Sequence, residues 1–168
     1  LEARFLATLP YRFTAAQRRV LEEINADLAT AHPMMRLVQG DVGCGKTVVA
    51  AAAAARAVGS GAQAALMAPT ALLAEQHARN FEAWFGPLGV TVTLLSGSQP
   101  AAARRSARGA IAHGTAQLVI GTHALFQQGI EFHDLALVIV DEQHRFGVQQ
   151  RLRMQEKGAR AGRQPHQL

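Results

Sequence analysis

Five apolar segments punctuate the chain: "MRLVQG" ending at Gly40, "AQAALMAP" ending at Pro69, "VTVTLLSG" ending at Gly97, "QLVIGT" ending at Thr122 and "LALVIVDE" ending at Glu142. Most of them are near-continuous in apolar residues, the pattern of strands covered on both faces, whereas a half-exposed strand would alternate. The stretches between them read as helices. Residues 47–58 are alanine-rich and stop at "GSG", 72–85 place apolar residues at helical spacing and stop at "GPLG", and 101–112 follow Pro100. Strands alternating with helices of this length predict βαβ units, and so a three-layer α/β domain with a mainly parallel central sheet. We read residues 1–168 as one domain whose last part, 158–168, is a Gly- and Pro-containing linker.

No apolar run approaches the ~18 residues of a membrane-spanning helix, so no membrane partner is expected. A single cysteine, Cys44, excludes an internal disulfide and a cysteine-based metal cluster, which suits a cytoplasmic location. The opening "LEARFLATLP" shows neither an initiator Met nor a signal region, and reads as the start of a fragment. The net charge of +5 is unevenly placed. Residues 1–144 hold 11 basic and 11 acidic side chains, whereas 145–168 hold six basic residues against Glu156 alone. A local positive cluster suits a phosphate backbone, but on charge alone a solvated helix and loop is the favoured reading.

"GDVGCGKT", residues 40–47, has the spacing of a phosphate-binding loop and lies where one requires it, after a predicted strand and at the start of a predicted helix. Gly40, Gly43 and Gly45 allow turns that aim successive N–H groups at phosphate oxygens, and the helix N-terminus adds positive potential. Lys46 is expected to reach the β and γ phosphates of ATP, and Thr47 to ligate Mg²⁺ through its hydroxyl. Cys44 occupies a variable slot.

About a hundred residues later a second apolar strand ends in Asp141 and Glu142. In a parallel sheet its carboxyl end faces the same crevice as the phosphate loop. Asp141 is then placed to hold Mg²⁺, and Glu142 to orient or deprotonate the attacking water. A carboxylate pair alone is a weak signal, and together with the loop it is a strong one.

The ordered series "GDVGCGKT", "APTALLAEQH" (68–77), "VIGTHALFQ" (119–127) and "DEQH" (141–144) resembles motifs I, Ia, Ib and II of superfamily 2 helicases and translocases. Within that group "LVQGDVGCGKT", "DEQHRFGVQQR" and the upstream "LPYRFTAAQ" are most similar to RecG-type branch-migration helicases. The resemblance implies a RecA-like P-loop NTPase lobe that works with a second RecA-like lobe and a wedge domain on branched or forked DNA. It further implies that Gln17 recognises adenine by pairing with N6 and N7, and that Pro69, Thr70, Gly121, Thr122 and His123 track one strand of bound DNA. Gln143 and His144 would link the nucleotide pocket to the second lobe, and Arg145 and Phe146 would couple hydrolysis to the DNA path. One such lobe, without the arginine residues of its partner, is expected to turn over ATP poorly.

Two other readings compete. The chain could be the equivalent lobe of the transcription-repair coupling translocase Mfd, or a nucleotide-sensing phosphate-loop module without motor activity. His32, His77, His113, His133 and His166 show no ligand spacing to one another and read as surface or helix-end residues. Phe81, Trp84 and Phe85 read as the packed face of a helix.

Overall fold

Apolar packing on both faces of a parallel sheet organises the chain, which a computed structural model describes for residues 1–41, 43–142 and 164–168. In chain order the elements are α1 (Glu2–Thr8), α2 (Ala15–Leu28), α3 (Lys46–Gly59), β1 (Gln63–Met67) and α4 (Ala71–Phe85), followed by β2 (Val92–Leu95), α5 (Ala101–Ala112), β3 (Leu118–Gly121), β4 (Leu135–Val140) and β5 (His166–Gln167). Single 3-10 turns occupy Gly86–Leu88 and His123–Phe126. All strand pairs are parallel, in the order β2-β3-β1-β4-β5.

Alternate residues of each strand serve opposite layers. Ala64, Leu66, Leu118, Ile120, Leu137 and Ile139 pack with side chains from α1, α2, α3 and α4, whereas Ala65, Met67, Val119 and Val138 pack with α5 and the segment 125–135. Both sets are apolar, which is why the strands read as unbroken hydrophobic runs. Helix α3 lies between β1 and the outer helices α1 and α2. Its residues 51–55, all alanine, are fully buried, as a helix enclosed on every side requires. Phe5 of α1 stacks on Phe85 of α4 with ring centroids 5.0 Å apart, and Phe81 and Trp84 complete the cluster. The expected packed face of α4 is therefore present.

Two expectations need correction. Residues 35–40 do not form a strand: only Met35 bridges, in parallel, to Gln167. Their neighbour β5 is two residues long, so ladder bonds run from Gln167 N to Met34 O at 2.7 Å and from Arg36 N to Gln167 O at 3.0 Å and then stop. Met35 and Leu37 remain exposed despite their apolar side chains. Conversely, the end of the expected linker 158–168 enters the sheet. Leu168 N donates to Val138 O and Val140 N to Leu168 O, so pairing with β4 on one side and with 34–36 on the other outweighs the Gly and Pro composition upstream. Residues 158–163 lie outside the described residues.

Candidate active site

Two backbone hydrogen bonds carry the sheet one rung beyond its strands. Ala68 N donates to Gly121 O at 2.8 Å, and Asp141 N donates to Met67 O at 2.9 Å. They bring the loops after β1, β3 and β4 level with one another at the carboxyl edge, where open α/β sheets bind their ligands.

The phosphate loop enters α3 through Gly43 and Gly45, both with left-handed backbone (φ 83° and 88°). A methyl group built on Gly45 would also press on Nε2 of Gln17, so a side chain there would have to displace the Gln17 amide. Lys46 donates its ammonium group to the carbonyls of Gly40 and Asp41 at 2.5 and 2.9 Å, so the loop wraps its own lysine. Thr47 follows in the first turn of α3, partly buried.

Gln17 is no ordinary helix-surface residue. Its Oε1 accepts from Thr14 N at 2.9 Å, half of the capping box that starts α2, and its Nε2 donates to Cys44 O at 2.9 Å, inside the phosphate loop. Both ends of the amide are thus engaged by the protein. Each keeps one further capacity, an N–H and a lone pair, which is what pairing with adenine would need.

Asp141 and Glu142 follow β4 directly. Asp141 is half-buried, and its Oδ2 lies 2.8 Å from Nε2 of His77 on α4. That hydrogen bond is the main cause holding the Asp141 carboxyl below its ordinary value of 3.8. Burial opposes it, while the charge of His77, the Glu142 N–H and the Lys46 ammonium assist. His77, expected at the surface or at a helix end, instead lies in the middle of α4 with its side chain 12% exposed, because its partner 64 residues away draws it inward. A signal did exist: on α4, position 77 falls between the buried Ala74 and Phe81, on the inward side. Glu142 has a left-handed backbone at φ 52°, the one non-glycine residue so placed among the described residues. Such strain gathers at functional turns.

The positions expected to track DNA divide. Thr70 is exposed at the N-cap of α4, its Oγ1 accepting from Leu73 N, and Pro69 beside it is partly buried. His123 is exposed as well, but Gly121 and Thr122 are buried. Gly121 has a structural reason to be glycine, because a methyl group there would meet Leu95 O at 2.2 Å and the Leu125 side chain at 2.9 Å. Gln143, His144, Arg145 and Phe146, with the basic residues behind them, lie outside the described residues. His113 caps the end of α5, whereas Nδ1 of His166 accepts from Met34 N at the junction of β5 with 34–36.

Similarity to known proteins agrees with this arrangement. The ATP-dependent DNA helicase RecG of Haemophilus influenzae is 59% identical over 168 residues, a match covering 100% of this chain and 24% of the relative. RecG of Mycobacterium bovis is 46% identical, with the same coverage. The chain therefore spans about a quarter of the length of the curated relatives it matches. A solved structure of RecG bound to a three-way DNA junction superposes with a TM-score of 0.86 at 38% identity, covering 99% of this chain and 22% of that one. A hypothetical ATP-dependent RNA helicase from Sulfolobus tokodaii superposes at 0.70 with 19% identity and shows the fold alone, covering 99% of this chain and 49% of that one. The matches give no support to the Mfd alternative. The family profile described as DEAD/DEAH box helicase matches residues 14–167, from the Thr14 cap of α2 through the phosphate loop and the carboxylate pair to β5, and the chain belongs to that family.

Proposed function

We propose that this chain is the ATP-binding motor lobe of a RecG-type DNA helicase that remodels branched DNA, such as replication forks and Holliday junctions, in recombination and repair. The observation that carries the reading is the common edge on which the phosphate loop, the Thr70 end of α4 and the Asp141–Glu142 pair converge. Lys46 and the N–H groups of the loop bind the β and γ phosphates. Mg²⁺ fits the donor set: an ionised carboxylate on Asp141 and a hydroxyl on Thr47 are hard oxygen ligands of the kind that hold this ion beside a nucleotide. When bound, the ion neutralises charge developing on the phosphoryl oxygens. Glu142 orients the attacking water and accepts its proton. Gln17 offers its remaining N–H and lone pair to the base.

Pro69, Thr70 and His123 lie where a DNA strand crossing this edge would run, with Gly121 and Thr122 beneath them as support. Gln143, His144, Arg145 and Phe146 continue from the carboxylate pair, and in this reading they carry the state of the nucleotide toward the DNA and a second RecA-like lobe. That lobe supplies the arginine residues that stabilise the transferring phosphoryl group. Strand displacement from a forked duplex tests the proposal. Lys46→Ala and Glu142→Gln in the whole enzyme should each abolish it, the first by loss of nucleotide binding and the second with binding retained. Unwinding that survives Glu142→Gln would refute the assignment.

A further inference from the structure

His77 closes the quoted segment 68–77 but has no role in the site as described above, and among the described residues its ring makes a side-chain hydrogen bond that joins α4 to the carboxylate pair. An ionised carboxylate only accepts hydrogen bonds, so Nε2 must carry the proton and donate it to Oδ2 of Asp141. The ring is 12% exposed, and its Nδ1 is buried with no hydrogen-bond partner among the described residues. Leaving that nitrogen unsatisfied costs stability. A phenyl ring would pack at this position without the cost, so packing does not explain a histidine. What the imidazole adds is a directed N–H, and it is spent on Asp141.

The element that carries His77 gives the contact its significance. Helix α4 starts at Thr70, and residue 77 lies two turns along, about 10 Å from the cap. The N-terminal end of this rigid helix thus lies at the loop of Pro69 and the exposed Thr70, and its middle against Asp141. The carboxylate is held from two sides, by His77 and by the Glu142 N–H. Its remaining lone pairs are therefore aimed. Partners of this kind, standing behind a metal-binding group, orient it and raise its affinity.

We propose that His77 is a positioning residue that orients Asp141 for the divalent cation and, through α4, links the Thr70 loop to the nucleotide site. The proposal rests on the motor-lobe reading in that Asp141 is taken as the metal-holding carboxylate. It assigns His77 no contact with nucleotide or DNA.

The test uses the full-length enzyme and Mn²⁺ as a spectroscopic probe. Mn²⁺ binding in the presence of ADP is followed by electron paramagnetic resonance, which requires no turnover. His77→Phe keeps the packing and removes the donor. Its Mn²⁺ midpoint should rise about tenfold, the scale on which such partners act. His77→Gln places an amide N–H near the position of Nε2 and should restore the midpoint to within about twofold of wild type. Stimulation of ATP hydrolysis by forked DNA should fall in the phenylalanine variant and recover in the glutamine variant. A midpoint in His77→Phe equal to wild type, or one in His77→Gln as weak as in His77→Phe, would overturn the proposal. If wild type binds Mn²⁺ and ADP but ignores DNA, the helicase reading fails while the comparison of midpoints still decides the role of His77.

Discussion

Gln17 reaches 27 residues along the chain to donate its side-chain amide to the carbonyl of Cys44, so the residue that completes the capping box of α2 also braces the phosphate loop. Two substitutions separate these duties. Gln17→Ala loses both, and should lower stability by about 1 kcal/mol, as loss of a cap does, while weakening ATP binding. Gln17→Glu keeps an acceptor for Thr14 N, since glutamate is equally suited to a capping box, but turns an oxygen toward the Cys44 carbonyl. Its melting temperature should stay near wild type while ATP affinity falls. Calorimetric titration beside thermal melts distinguishes the two.

Gln63 plays a purely structural part at the opposite end of β1. It is buried, its Nε2 donates to Ile111 O and Ala116 O, and its Oε1 accepts from His133 N and Asp134 N. Gln63→Leu would remove this partner from all four backbone groups, although Ile111 O keeps an alternative in Gly114 N. Urea denaturation should show a loss of about 3 kcal/mol or more, because unsatisfied buried groups are expensive.

At Gly121 the structure and the DNA-tracking role lead to different outcomes. With the Leu95 carbonyl in the path of any added methyl group, Gly121→Ala should destabilise the fold by about 2 kcal/mol, the usual scale of overpacking. Thr70→Ala, at an exposed cap, should cost about 1 kcal/mol and weaken DNA binding more than its effect on stability explains. Melts and DNA affinities measured on both variants check the contrast.

Glu142 combines a left-handed backbone with the proposed catalytic carboxylate. Glu142→Gly relieves the backbone and should raise stability by up to about 1 kcal/mol, since glycine tolerates this conformation while losing more chain entropy. ATP hydrolysis should nonetheless fall by about 100-fold or more, the usual contribution of a positioned general base. A variant that is both more stable and inactive would identify the strain as one maintained for function.

The His77 contact also sets a dependence on pH. Because the folded chain holds the Asp141 carboxyl below 3.8, the ionised group stabilises the fold above that value, and the contribution is lost as pH falls through the lower folded value. Acid denaturation of the metal-free chain should therefore be shallower for Asp141→Asn than for wild type over that interval. Identical profiles would show that Asp141 plays no part in acid stability.

What the sequence alone reveals follows the range of the interactions concerned. The phosphate loop, the helix behind it and the strand leading to Asp141 and Glu142 are legible because each is a local pattern: glycines at turns, a lysine at a helix start, an apolar run. The strand expected at 35–40 fails because strand formation depends on the neighbour, and β5 is two residues long. His77 and Gln63 are harder to read for a related reason: each shows locally only as a polar residue on an apolar face, and their partners lie 64 and up to 71 residues away. Gln17 is intermediate. Its capping role is visible in "TAAQ", whereas its hold on Cys44 exists only once α2 lies beside the loop.

The claim on which the rest depends is that this edge of the sheet is an ATP site answering to branched DNA. Steady-state ATP hydrolysis by the full-length enzyme at saturating ATP and Mg²⁺, with and without a forked DNA substrate, tests it most directly. A rate several times higher with the fork is the expected result, and equal rates in the two conditions would contradict it.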